Sequence, residues 1–129
     1  MKNRLGDNAR IRHIYDAILE IELYIQNVSY DIFKSTSMMQ YACVKQLEII
    51  GEAANHLTPH FKKLYPEIQW REIIGLRNIL IHEYFGIDTK IVWDVINTDI
   101  VSMKIQIKKI IDQIEPLPNL FNPLESEDK

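Results

Sequence analysis

Residues 70–88 read WREIIGLRNILIHEYFGID and combine an apolar helical segment with side chains suited to chemistry. Arg77, His82 and Tyr84 stand among isoleucines and leucines, and Gly86 has the position of a residue that ends a helix. An arginine carries a planar charged fork that grips phosphate, and an imidazole moves protons near neutral pH. This stretch therefore predicts a helix that presents a site for a phosphodiester.

Helical spacing is expected to bring these side chains to one edge. Because an α-helix advances about 100° per residue, Asn78 and His82 share a face. Arg77 and Tyr84 share a neighbouring face, and the long arginine stem can reach towards His82. Gly75 lies under the same stripe, where the lack of a side chain would let a ligand or a partner backbone approach.

The rest of the chain predicts further helices because glycine and proline are scarce. Neither residue occurs between Gly6 and Gly51, or between Gly86 and Pro116, and strands would need more frequent turns. Apolar residues recur at helical spacing through both spans. We expect long helices over 8–31, from a start signal at 35–37 to about residue 57, and over 89–114, with a short helix over 59–64 and a medium helix over 69–84.

Capping residues and one internal glycine refine this picture. Asp7, the Thr58–Pro59 pair and Asp88 are typical of helix N-termini. Gly51 lies inside the second long helix, where another backbone is expected to approach closely. The sequence therefore predicts an all-α, antiparallel helical bundle over residues 1–115, built from three long helices, one medium helix and a short connecting helix.

Size and composition fit one domain with a substantial core. The chain has 129 residues, 47% of them hydrophobic, and a net charge of −3, so any contact with nucleic acid should be local. Neither a membrane-spanning run nor a signal peptide is predicted. Segment 116–129 holds three prolines and ends in charge, and we expect it to be a flexible acidic tail. The single cysteine, Cys43, fits a cytoplasmic protein.

Other titratable residues are weaker candidates for chemistry. His56 and His60 have a metal-ligand spacing, but the Thr58–Pro59 pair breaks the helix between them and no cysteine or carboxylate pattern completes a site. We therefore predict no metal and no other cofactor. Cys43 is expected to be a buried small apolar residue, and His13 to be exposed.

Glu52 is the candidate supporting residue outside the 70–88 stretch. It belongs to the second long helix and could orient Arg77 or His82, or it could pair with a lysine. Lys62 and Lys63 form a small basic patch that could guide RNA, although an ordinary solvated charge cluster explains them equally well.

A site with a single histidine has too few groups for RNA cleavage through the 2′-hydroxyl group. That reaction needs a base, an acid and cations that stabilise the developing phosphorane charge. A two-fold dimer would place two copies of Arg77 and His82 in one cleft. One His82 could then act as the base and the other as the acid, without a metal.

The run IIGEAANHLTPHFKKLYPEI (49–68), followed by the 70–88 stretch, resembles the HepT-like branch of the HEPN superfamily. The resemblance extends from about residue 8 to residue 114. The family signature has a histidine four to six residues after an arginine, with a polar residue following the arginine, and this branch adds a tyrosine two positions after the histidine. The run RNILIHEY meets every position of this signature.

The resemblance implies a helical homodimer that acts as a metal-independent endoribonuclease. It implies that Arg77 and His82 are catalytic, that Asn78 supports them and that Tyr84 is a modification site. HepT-like proteins resemble toxins of toxin–antitoxin modules, whose antitoxin is an MNT-type minimal nucleotidyltransferase that adenylylates this tyrosine. AMP on Tyr84 would add bulk and a negative phosphate beside Arg77, and would thereby block RNA.

Two other functions remain open from the sequence. A non-catalytic subunit would bind a nucleotide or a nucleotidyltransferase, with the Arg-His cleft as its docking site. A structural helical adaptor would instead keep Arg77 and His82 buried and paired. RNA cleavage that persists in EDTA would favour the enzyme, whereas nucleotide binding without cleavage would favour the non-catalytic subunit.

Overall fold

Helices account for the architecture of the chain in a computed structural model that describes residues 6–78 and 88–115. They are α1 (Gly6–Tyr24), α2 (Tyr30–Lys34), α3 (Ser37–Asn55), α4 (Pro59–Leu64), α5 (Trp70–Gly75), a 3-10 turn (Leu76–Asn78), α6 (Thr89–Asp94), a π-helical turn (Val95–Asp99) and α7 (Ile100–Ile114). These ranges contain no strand, which confirms the all-α prediction. None of the helices in them is both long enough and apolar enough to cross a membrane.

The long helices pack antiparallel around a core rich in isoleucine. Ion pairs between Arg12 and Glu115 and between Glu22 and Lys104 join α1 to α7 in opposite directions. Helix α3 packs against α1, α2, α5, α6 and the 3-10 turn, so it is the central element of the bundle. Fully or nearly fully buried side chains come from all three long helices: Ile11, Ile14, Ile18, Ile21, Val44, Leu47, Ile50, Ala54, Met103, Ile107, Ile110 and Ile111.

The first predicted helix ends earlier than expected. Helix α1 stops at Tyr24, so the prediction of one helix over 8–31 is wrong for its last part. Asn27 has a positive φ of 60°, a conformation that interrupts a right-handed helix. The Ser29 hydroxyl then accepts a hydrogen bond from Ile32 N and begins α2. These local signals outweigh the apolar periodicity that suggested continuity.

The start of α1 is joined to the start of α4. Thr58 caps α4 as predicted, because its Oγ1 accepts a hydrogen bond of 3.1 Å from Phe61 N. Asp7 does not precede α1 but lies within its first turn. The Asp7 carboxylate accepts hydrogen bonds from Thr58 N at 2.9 Å and from Thr58 Oγ1 at 2.7 Å. The predicted N-cap of α1 therefore stabilises a different helix terminus.

The last long helix has the predicted bounds but an unexpected interior. Asp88 caps α6 by accepting a hydrogen bond from Ile91 N, and α7 ends at Ile114. Between them the backbone widens into a π turn, which the periodic pattern did not reveal. The buried stripe passes through that turn in steps of four residues: Val92, Ile96 and Ile100. Ile91 is exposed because it lies one residue off this stripe.

The predicted helix over 69–84 tightens where it reaches the candidate site. It begins at Trp70 and is α-helical to Gly75, and residues 76–78 then form a 3-10 turn. A 3-10 helix advances about 120° per residue. The predicted spacings from Asn78 to His82 and from Arg77 to Tyr84 run beyond this turn, so they stay predictions. Residues 79–87, with the expected helix end at Gly86, and the tail 116–129 lie outside the described residues.

Gly51 allows the 3-10 turn to lie against α3, as the sequence predicted. A Cβ atom on Gly51 would be 2.5 Å from Arg77 N, 2.9 Å from Arg77 Cβ and 3.0 Å from Ile74 O. Two of these three neighbours are backbone atoms, which cannot move away as the end of a flexible side chain can. The missing side chain at position 51 therefore fixes the position of Arg77.

We expect Gly51→Ala to lower the free energy of unfolding by about 1–3 kcal/mol, because the added methyl group must push two backbone segments apart. Urea denaturation measures the change. Gly75→Ala is the matched control, since a Cβ atom there meets nothing within 4 Å. The control should be neutral or more stable by up to about 1 kcal/mol. Equal stability of the two variants would contradict the tight contact.

Candidate functional site

An open groove of about 500 Å³ lies between α3 and the 3-10 turn. Its lining combines two cations, two carboxylates, one amide and one apolar side chain: Lys45, Glu48, Ile49, Glu52, Arg77 and Asn78. The four residues from α3 recur at three- and four-residue steps, so one outer face of this helix forms one wall. The groove follows directly from the close packing at Gly51, which precedes Glu52 by one residue.

Arg77 lies at the wall of this groove in an ion pair with Glu52. Arg77 Nη1 donates to Glu52 Oε1 at 3.1 Å. The Arg77 side chain is 34% exposed and that of Glu52 is 56% exposed, so solvent and solutes can compete for both groups. Such a pair contributes only about 0–1 kcal/mol to stability. The contact with Arg77 is one of the alternatives that the sequence left open for Glu52.

His56 extends this interaction along α3. Its Nδ1 lies 2.9 Å from the backbone oxygen of Glu52 and 3.4 Å from Glu52 Oε2. The Glu52 carboxylate therefore lies between an imidazole and a guanidinium. From the sequence, His56 was a candidate metal ligand only, although its four-residue spacing from Glu52 on one helix is the signal for this contact.

The structure brings together three of the predicted site residues. Arg77, Asn78 and Glu52 line one groove. His82 and Tyr84 lie outside the described residues, so their predicted roles stay predictions. Lys45 is a second cation of the groove that sequence reasoning missed, although it lies seven residues before Glu52 and hence on the same face of α3.

The other candidates have ordinary structural roles. Cys43 is fully buried, and burial raises the pKa of its thiol to about 11, so it is protonated at neutral pH. His13 is exposed, as predicted. In the part of the chain that the structure describes, no cluster of histidine, cysteine, aspartate and glutamate could hold a metal ion.

A second depression, of about 230 Å³, lies between α5 and α7. Glu72 and Asp99 contribute its charged groups, together with amide and hydroxyl side chains over an apolar floor. Among the described residues, the lining holds two carboxylates and no cation, which disfavours the binding of a polyanion. The groove at Arg77 is therefore the better candidate for a phosphodiester.

Comparison with known proteins identifies the family of the chain. The family model described as "Ribonuclease HepT-like" matches residues 14–110. The "Probable ribonuclease HepT" of Thermococcus cleftensis is 38% identical over 100 residues, which cover 78% of this chain and 91% of that protein. A "Putative RNase" of Methanocaldococcus jannaschii is 35% identical over 95 residues, which cover 74% of this chain and 87% of that protein.

No solved structure matches the chain significantly. The family model nevertheless covers the span from α1 to α7, including the groove-lining residues of α3 and the 3-10 turn. On the match to the family model and the similarity to these relatives, the chain belongs to the HepT-like ribonuclease family.

Proposed function

We propose that the chain is a metal-independent endoribonuclease whose catalytic residues are Arg77 and His82. The observation that supports this most directly is the placement of Arg77, which is partly exposed at the wall of an open groove. A structural adaptor would need this arginine to be buried. Asn78, on the same groove wall, supports the two catalytic residues.

The reaction proceeds by attack of the 2′-oxygen on the adjacent phosphorus. A base removes the 2′-hydroxyl proton, the new bond from oxygen to phosphorus forms, and the bond from phosphorus to the 5′-oxygen breaks while an acid protonates that leaving oxygen. His82 is the side chain that accepts the 2′-hydroxyl proton or donates a proton to the leaving oxygen. The Arg77 guanidinium stabilises the negative charge of the phosphorane.

Binding of RNA requires the scissile phosphate to compete with Glu52 for Arg77. The competition is feasible because the ion pair is half exposed and contributes little to stability. A phosphate accepts two parallel hydrogen bonds from the guanidinium, whereas a single Nη1 bond joins Arg77 to Glu52. Lys45 in the same groove offers a second cation to the RNA backbone.

The active form in this proposal is a homodimer. Each chain contributes one copy of the Arg77–His82 motif, and the reaction needs both a base and an acid. A two-fold axis beside the groove gives one cleft both sets of residues. One His82 accepts the 2′-proton and the other protonates the leaving oxygen.

In the cell we propose that the chain is the toxin of a cytoplasmic toxin–antitoxin module. Its antitoxin is an MNT-type nucleotidyltransferase that transfers AMP to the Tyr84 hydroxyl. The support is the RNILIHEY motif, which places that tyrosine seven residues after Arg77. The added phosphate pairs with Arg77 and, with the bulk of AMP, excludes RNA from the site.

Arg77→Ala and His82→Ala should each reduce RNA cleavage by at least about 100-fold, because each removes charge stabilisation or proton transfer. Cleavage of a labelled single-stranded RNA in the presence of EDTA measures the loss. Arg71→Ala and His13→Ala, which remove exposed residues away from the groove, are the matched controls. Wild-type rates in the Arg77 and His82 variants, with the fold retained by circular dichroism, would refute the proposed chemistry.

Mixed dimers test whether both copies of His82 are needed. When wild-type and His82→Ala chains are refolded together, we expect the activity to be proportional to the square of the wild-type fraction. Only dimers with two intact histidines are active. The measurement is the cleavage rate across a series of mixing ratios. A linear decrease would mean that each chain acts independently.

Co-expression with an MNT-type nucleotidyltransferase should add one or more AMP units to the chain. Intact-mass spectrometry detects the adduct, and peptide mapping should place it on Tyr84. Tyr84→Phe removes only the acceptor hydroxyl, so it should show no adduct while keeping the fold. An adduct of the same mass on the Phe variant would show that Tyr84 is not the acceptor.

A further inference from the structure

His56 is held at the C-terminal end of α3 in a defined orientation. It follows the last residue of the helix, and its backbone N–H donates to Ala53 O. Its ring Nδ1 is 2.9 Å from the backbone oxygen of Glu52. Because a carbonyl oxygen can only accept, Nδ1 must carry the proton of this hydrogen bond. The ring therefore presents an N–H group towards Glu52.

The Glu52 side chain lies beside the same ring nitrogen, whose hydrogen bond goes to the backbone oxygen. Glu52 Oε2 lies 3.4 Å from His56 Nδ1, and Glu52 Oε1 lies 3.1 Å from Arg77 Nη1. The two carboxylate oxygens thus have different partners on opposite sides. A glutamate that is 56% exposed would otherwise rotate freely about three torsions, and the imidazole limits that rotation.

We propose that His56 is a positioning residue that acts through Glu52 on Arg77. The imidazole fixes the carboxylate, and the carboxylate fixes the guanidinium at the groove wall before RNA arrives. The inference rests on the proposed function, in which Arg77 contacts the scissile phosphate. It adds to the site a histidine that never touches the substrate.

A direct acid–base role for His56 would require different behaviour. It would use Nε2, which the hydrogen bond at Nδ1 leaves as the unprotonated nitrogen of the neutral ring. Asparagine can replace the N–H donor at the Nδ1 position but cannot exchange protons near neutral pH. His56→Asn therefore separates the two roles, whereas His56→Ala removes both.

The His56 and Glu52 side chains are both about half exposed, so the loss of their contact should have a modest effect on RNA cleavage. We expect His56→Ala to lower kcat/KM by about two- to five-fold, as for the loss of a half-exposed polar contact. His56→Asn should restore most of this loss with an unchanged pH profile. In a Glu52→Ala background, His56→Ala should have no further effect, because the group that transmits it is absent. His13→Ala is the matched control for removal of an exposed histidine.

Two results would overturn the proposal. One is an equal loss from His56→Ala with and without Glu52. The other is a His56→Asn variant as impaired as His56→Ala and with an altered pH profile, which would point to acid–base chemistry by His56 itself. Circular dichroism and thermal melting of each variant identify losses that come from misfolding.

A readout without RNA separates failure of this inference from failure of the proposed function. If the wild type does not cleave RNA, the proposed function fails, and the Arg77 side-chain Nε–Hε resonance still tests His56. We expect His56→Ala to shift this resonance in the same direction as Glu52→Ala, and the double variant to match Glu52→Ala alone. An unchanged Arg77 resonance in His56→Ala would refute the positioning role.

Discussion

The backbone of Arg77 lies against α3 because residue 51 has no side chain. This contact fixes the arginine through its main chain, so its guanidinium starts from a defined place at the wall of the groove. The next residue of α3 is Glu52, which supplies the carboxylate that pairs with the same arginine. The same turn of α3 therefore leaves room for the Arg77 backbone and supplies the carboxylate that balances the Arg77 charge when no substrate is bound.

Local charge balance at the groove explains how an acidic chain can act on a polyanion. Lys45 and Arg77 are matched in the lining by Glu48 and Glu52. A net charge of −3 gives no long-range attraction for RNA, so affinity must come from a few direct phosphate contacts. In the proposed mechanism, discrimination depends on whether a ligand can replace the Glu52 carboxylate at Arg77, and a phosphodiester can do so by accepting two parallel hydrogen bonds.

The sequence predicted features that a residue type marks directly, and missed those that interrupt a continuous apolar pattern. The caps at Thr58 and Asp88 and the close approach at Gly51 follow from residue type and neighbours. The break at Asn27 and the π turn do not, because apolar spacing continues through both. For Glu52 the sequence left Arg77, His82 and a lysine open as partners, because Arg77 is 25 residues away in the chain and no local spacing selects it. His56 was missed because its contact runs through Glu52 rather than directly to the arginine.

Cys43 has a practical consequence for work on this molecule. It is the only cysteine of the chain, it lies fully inside the core on α3, and its thiol is protonated at neutral pH. Maleimide reagents require an accessible thiolate. A cysteine introduced on the outer surface would therefore be labelled selectively, so fluorophores or spin labels can be attached beside the groove while the native thiol stays in place.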